Sequence, residues 1–173
     1  MYNIEELEEL TRQWSEDRGI LKNGKATTQC LKLISEAGEL SLNISKGLDI
    51  KDDIGDCLVV LTNLSYLTNM ENKITDFKFN STNAEFKPLL ALLGDLSDSI
   101  AKDNVSDIHL NIRNVLIYLI KRSASYGLTL EECWNVAYED IKDRQGFLNA
   151  NGNFIKSTDD NYEMLLAEFK GSN

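Results

Sequence analysis

The sequence predicts an all-α bundle of about six main helices with a small hairpin-like tail, on three observations. Pro88 is the only proline in 173 residues. Apolar residues recur at helical spacing almost throughout. Helix start and stop signals punctuate the chain at regular intervals, notably Asn3…Glu6 and Thr129…Glu132 as capping boxes and Gly47 and Gly127 as C-terminal stops.

Each element follows from those signals. The first helix spans about Ile4 to Asp17, opened by Asn3 and ended by Arg18-Gly19-Ile20. The second spans about Lys25 to Lys46, with Gly47 beyond its end. It carries two apolar stripes, Leu33, Leu40 and Ile44 on one side and Leu31, Ile34 and Leu42 on another. A helix apolar on two sides belongs at the centre of a bundle. The third spans about Ile50 to Asn69, with Ile54, Cys57, Leu58, Leu61 and Leu64 as its core face. Residues 71–87 are polar, with Asn80-Ser81-Thr82-Asn83 in the middle, and read as a connecting loop. Pro88 suits the first turn of a fourth helix reaching about Lys102. A fifth spans about Asp107 to Tyr126, and a sixth about Leu130 to Gln145. Residues 147–155 read as a hairpin around Asn151-Gly152, and a last short helix covers about Tyr162 to Lys170. The helical core is thus 4–145, with an extension at 147–173, all in one domain.

A faint repeat runs through this pattern. Asp56-Cys57-Leu58-Val59-Val60-Leu61 matches Asn114-Val115-Leu116-Ile117-Tyr118-Leu119, and Gly38-Glu39-Leu40-Ser41 matches Gly94-Asp95-Leu96-Ser97. The fourth and fifth helices would then form a second hairpin shaped like the first.

The bulk composition narrows the function. A hydrophobic content of 42% suits a packed globule, and a formal net charge of −10 disfavours nucleic acid or an anionic membrane as partner. No apolar run approaches the length of a membrane span, and no signal-peptide pattern opens the chain, so a cytoplasmic protein is expected. Cys30, Cys57 and Cys133 are widely spaced within apolar helical patterns and read as buried free thiols. His109 is the sole histidine, which leaves little for a His-based zinc site or a Ser-His or Cys-His nucleophile; it reads as a surface or interface residue. Carboxylate-bridged di-iron bundles need Glu-x-x-His pairs, and the chain has none.

The acids carry the chemistry. Glu36-x-x-Glu39 and Asp53-x-x-Asp56 flank the turn at Lys46-Gly47-Leu48-Asp49. Residues three apart share a helix face, and Glu39 and Asp56 each fall roughly 10 Å from the turn. Four converging carboxylates repel one another unless a cation sits between them, and hard divalent ions with oxygen ligands, Mg²⁺ above all and Mn²⁺ as a substitute, fit that role. Lys32, Lys46, Lys142 and Arg144 are candidate phosphate clamps, each equally readable as a surface ion pair. Gln29 is a candidate for a base or sugar edge. Trp14 suits either base stacking or core packing, the latter favoured, and Trp134 reads as core.

Ile34-Ser35-Glu36-Ala37-Gly38-Glu39-Leu40, followed by Lys51-Asp52-Asp53-Ile54-Gly55-Asp56-Cys57-Leu58, resembles the MazG-like all-α nucleoside triphosphate pyrophosphohydrolases, a superfamily that includes dimeric dUTPases and phosphoribosyl-ATP pyrophosphatases. Their signature is Glu-Glu-x-x-Glu, a variable gap, then Glu-x-x-Asp. Ser35 replaces the first Glu, and Asp53 stands where Glu is usual. Outside the signature, Glu139-Asp140-Ile141-Lys142-Asp143-Arg144-Gln145-Gly146 and Gly152-Asn153-Phe154-Ile155-Lys156 are similar to the C-terminal part of phage MazG-like proteins. The resemblance implies Mg²⁺-dependent hydrolysis of a nucleoside triphosphate, most naturally a deoxynucleotide, to the monophosphate and pyrophosphate. Glu36, Glu39, Asp53 and Asp56 would be the metal-binding and catalytic residues. It also implies a homodimer or homotetramer, in the host cytoplasm if phage-encoded. The alternatives are a non-catalytic helical interaction protein with a decayed site, or the same fold acting on phosphoribosyl-ATP or an alarmone.

Overall fold

The computed structural model describes residues 1–71, 73–76, 87–149, 151–152 and 154–171. Its elements are α1 (Ile4–Asp17), α2 (Ile20–Asn23), α3 (Ala26–Lys46), α4 (Lys51–Leu67), α5 (Leu89–Ala101), α6 (Val105–Ser125), α7 (Leu130–Ile141), β1 (Gly146–Leu148), β2 (Phe154–Lys156) and α8 (Tyr162–Gly171). The fold is all-α, as the sequence predicts, and the six long helices α1 and α3–α7 are those expected. Among the described residues no helix is long and apolar enough to cross a membrane.

Both capping boxes form. Asn3 Oδ1 accepts from the Glu6 amide at 2.9 Å while Glu6 returns the bond to Asn3 N at 2.8 Å. Thr129 and Glu132 do the same at the start of α7. Gly47 takes the left-handed conformation, φ 66°, which glycine adopts without a Cβ clash, and closes α3.

Packing corrects the expected centre of the bundle. On α3 the Leu33 and Leu40 stripe is fully buried, but the second stripe is not: Leu31, Ile34 and Leu42 are 68%, 41% and 51% exposed. It is α4 that is enclosed on nearly all sides, with residues 53–55 and 57–65 all buried. α3, α6, α7 and α1 surround it, so even Val59, Val60, Thr62 and Asn63 are out of solvent. α5 and α6 pack as the second hairpin. There Asn111, aligned with Asp53 in the repeat, donates to the Asp95 carbonyl at 3.0 Å. The three cysteines are free and buried, and Trp134 is 1% exposed, its indole donating to Thr11 Oγ1 at 3.0 Å. His109 is half-buried, its Nε2 3.0 Å from the Thr68 carbonyl oxygen.

Two short features escaped the sequence pattern. α2 is a single turn between α1 and α3. Ile74–Asp76 forms a 3-10 turn held by Glu8, a fully buried carboxylate that accepts from the amides of Ile74 at 2.9 Å and Thr75 at 3.0 Å. The rest of the expected loop, residues 77–86 with Asn80-Ser81-Thr82-Asn83, lies outside the described residues.

α7 stops at Ile141, short of the expected Gln145, because the chain end is captured from α1. Arg18 Nη2 donates to the carbonyls of Arg144 at 2.6 Å and Lys142 at 3.3 Å, a cation answering the negative end of a helix. The expected hairpin follows, β1 and β2 pairing antiparallel with Phe147 opposite Ile155. α8 folds back so that Phe169 stacks on Phe147, ring centroids 4.6 Å apart, and reaches Gly19.

The tightest helix contact is at Gly55. A Cβ there would collide with the Cys133 carbonyl oxygen and stand 2.5 Å from Ala137 Cβ on α7. Gly55→Ala is therefore expected to destabilise the fold by about 1–3 kcal/mol, the usual penalty of overpacking, lowering the melting temperature by several degrees in a thermal scan followed by circular dichroism. An unchanged melting temperature would show that α4 and α7 are not in contact there.

Candidate active site

α3 and α4 run antiparallel, and two side-chain rungs join them. At one end Asn63 Nδ2 donates to Gln29 Oε1 at 3.2 Å. At the other, Asn43 Nδ2 donates to both oxygens of Asp53, at 3.0 and 2.9 Å. Glu36 and Glu39 on α3 and Asp52 and Asp56 on α4 line a cavity of about 870 Å³, a size typical of small-molecule sites. Trp14 of α1 and Ile20 of α2 close one side. Ile141 at the end of α7, Arg144 beyond it, and Leu148, Phe154 and Lys156 from the hairpin close another. Segments from before and well after α3 and α4 thus build walls around a floor made by those two helices.

The structure brings some of the residues singled out in the sequence to this cavity and places others elsewhere. Glu36, Glu39 and Asp56 line the cavity together, with Gln29, Lys32, Arg144 and Trp14. Asp53 does not: it is buried against Asn43, and Asp52 lines the cavity in its place. Asp52 lies four residues before Asp56, a spacing that shares a helix face as well as three does, so the sequence held this alternative. Lys46 and Lys142 are not among the lining residues either. Lys46 is exposed at the far end of α3, and Lys142 pairs with Glu139 at 2.5 Å. Trp14 serves wall and core at once, with its indole donating to the Ile141 carbonyl at 2.8 Å and the Arg18 guanidinium 4.6 Å from its ring.

Asn63 and Lys156 were missed. Asn63 sits seven residues past Asp56, on the same face, and with Thr62 interrupts the apolar run Leu58 to Leu64. No local pattern points to Lys156, which the hairpin brings to the cavity through its pairing.

Electrostatically the floor is strained. Burial, then the charges of Asp52 and Glu36, push the Asp56 carboxyl up to about 7, against the pull of Arg144 and Lys32. Asp52, at the rim, is also raised, by partial desolvation first and then by Asp140 and Asp53. Burial, then the charges of Glu36, Asp56, Asp53 and Glu39, drive the Cys57 thiol upward. Lys32 forms an ion pair with the buried Glu36, and Arg144 with Asp140. Among the described residues no group of three or more His, Cys, Asp or Glu is gathered closely enough to hold a metal ion as it stands. Of the expected quartet, Glu36, Glu39 and Asp56 share the cavity, with Lys32 paired to Glu36, while Asn43 holds Asp53 outside it. The donor set, all carboxylate oxygen and partly uncompensated, still matches what a hard divalent cation takes.

No family model matches the chain, and no solved structure matches it. One curated protein resembles it, the "Uncharacterized 18.2 kDa protein in rep-hol intergenic region" of Haemophilus phage HP1 (strain HP1c1). It is 35% identical over 74 residues, 42% of this chain and 45% of that protein. The chain therefore spans less than half the length of that relative, whose name states a size and a genome position and no activity.

The Asp56 carboxyl yields a pH test. Its folded value, about 7, lies above the unfolded 3.8, so the folded state holds this proton more tightly. The group's contribution is fully present below about pH 4 and is lost as pH rises toward 7. In EDTA at pH 8, Asp56→Asn should be more stable than wild type by on the order of 1 kcal/mol once solvent screening is included, roughly 3 °C in melting temperature. The difference should vanish below pH 4. A variant no more stable than wild type at pH 8 would show that the Asp56 charge is compensated.

Proposed function

We propose that this protein hydrolyses nucleoside triphosphates, deoxynucleotides above all, to the monophosphate and pyrophosphate with Mg²⁺ or Mn²⁺. The observation that carries the reading is the shared cavity. Four carboxylates line it, one of them with a proton affinity raised to about neutrality, and Lys32, Arg144 and Lys156 line it with them. A site with that mixture suits a polyanion that arrives with its own cation.

Glu36, Glu39, Asp52 and Asp56 are the oxygen donors that would hold Mg²⁺. When bound, such an ion neutralises phosphate charge and lowers the pKa of a coordinated water. Glu39 is the acid we assign to orient the attacking water or take its proton, since Glu36 is already matched by Lys32. Attack falls on the α-phosphorus, and the bond to the bridging oxygen breaks. Arg144 and Lys156 meet the departing pyrophosphate with donors suited to phosphate oxygens. Preorganised charge of this kind is the main source of catalysis in phosphoryl transfer.

The same reading includes a homodimer or homotetramer, supported by the exposed apolar stripe Leu31, Ile34 and Leu42 on α3. It also includes a cytoplasmic setting, the host's for a phage-encoded chain, without membrane or nucleic acid as partner. A second reading, a helical interaction protein with a decayed site, is favoured by Ser35 and by the capture of Asp53 by Asn43. Phosphoribosyl-ATP or an alarmone as substrate would keep the site and change only the ligand.

Pyrophosphate release from the eight common NTPs and dNTPs plus dUTP separates these readings; blanks throughout would favour the interaction protein. Glu39→Gln should lower turnover by about 100-fold or more with the helical circular dichroism unchanged, and near-wild-type turnover would remove Glu39 from the chemistry. Mg²⁺ at ten times its dissociation constant should stabilise the protein by about 1.4 kcal/mol, roughly 4 °C, and no shift at millimolar metal would count against the carboxylates as its ligands.

A further inference from the structure

We propose that Asn63 and Gln29 form a donor–acceptor pair that reads the edge of a nucleobase at the end of the cavity away from the hairpin turn at Gly47. The inference rests on the nucleotide reading of the cavity and adds to it the group that recognises the base.

The starting observation is an orphan. Asn63 is 3% exposed and lines the cavity. Its Nδ2 is committed to Gln29, yet its buried Oδ1 has no hydrogen-bond partner. A buried carbonyl oxygen without a partner is destabilising, and one on a cavity wall is a site for a ligand donor. Gln29, 8% exposed, is the natural complement. Its Oε1 is taken by Asn63, which leaves its NH₂ to donate. The pair therefore presents one acceptor beside one donor. Nucleobases offer the matching edge: N–H beside C=O in uracil, thymine and guanine, an amino group beside a ring nitrogen in cytosine and adenine. Proteins that take up a single base read this edge by such hydrogen bonds.

Position and surroundings agree. Gln29 lies seven residues from Glu36 on α3, and Asn63 seven residues from Asp56 on α4, in each case roughly 10 Å along the helix. That span is about the length of a nucleoside, so phosphates at the acids place a base at the amides. Val59, Val60, Ile20 and Trp14 line the cavity with them, an apolar setting that suits a flat ring and strengthens hydrogen bonds. A site whose buried polar groups need a partner rejects ligands that lack it far more strongly than apolar contact can.

The test compares kcat/KM for the nucleotide panel with that for ribose 5-triphosphate, which has no base. Asn63→Leu keeps the branching of the side chain, with bulkier groups, and removes the polar atoms. It should lower kcat/KM at least tenfold more on the preferred nucleotide than on ribose 5-triphosphate, and flatten the ranking of bases. An equal fall on both, or no fall, overturns the proposal. Because Asn63→Leu alters the core, the wild-type protein supplies a second measurement. Titrating ¹⁵N-labelled protein with free nucleosides should shift the Asn63 and Gln29 side-chain amide resonances, and no shift with any nucleoside overturns the proposal. Wild-type protein that hydrolyses nothing defeats the hydrolase reading instead, and the nucleoside titration then decides the base site alone.

Discussion

The enclosure of α4 governs everything else in this molecule. A helix buried over nearly its whole length can face polar groups only where its neighbours leave an opening, and here that opening is the cavity over α3. Gly55 brings α7 into backbone contact on the flank of that face and constrains the rotation of α4 about its axis. Asp52 and Asp56 face the opening as a result. Their crowding with Glu36 is therefore a consequence of core packing and not a local choice of the side chains. Repulsion that the core enforces is available to be relieved by a ligand, and this ties the fold to the chemistry proposed for it.

Much of this was legible in the chain. Helix ends were written in single residues: Asn3 and Thr129 with their reciprocal glutamates, Gly47 in the left-handed region, Pro88 ahead of α5. The buried face of α4 followed from Ile54, Leu58, Leu61 and Leu64. What failed was non-local. Periodicity marks Leu31, Ile34 and Leu42 as apolar but cannot say whether another element covers them. Spacings of three and four residues serve a helix face equally, so the choice between Asp53 and Asp52 turned on Asn43, ten residues away across a turn. The end of α7 was decided by Arg18, more than a hundred residues upstream, which no window of local sequence contains.

Charge within the cavity is divided by depth. Glu36, the most buried of the acids, is matched by Lys32 on its own helix. Glu39 and Asp52 lie where water reaches, and Asp56 is left between, near enough to Lys32 and Arg144 to feel both and bonded to neither. Of the cations that line the cavity, only Lys32 pairs directly with one of its four acids, Glu36. Arg144 and Lys156 sit beyond the last long helix, on a segment that pairs and stacks mainly with itself and with the region around Gly19. The acids of the site all stand on α3 and α4, while Arg144 and Lys156 come from the segment after α7.

The tie from Arg18 to the carbonyls of Lys142 and Arg144 has a bearing on the order of assembly. As synthesis proceeds from the first residue, α1, α3 and α4 emerge early, while the segment that Arg18 holds and the hairpin behind it emerge late. Closure of the binding cleft joins residues far apart in sequence and is among the last contacts a growing chain can make. A nascent chain still lacking that segment has the wall made by Trp14 and Ile20 but not the one made by Ile141, Arg144 and the hairpin.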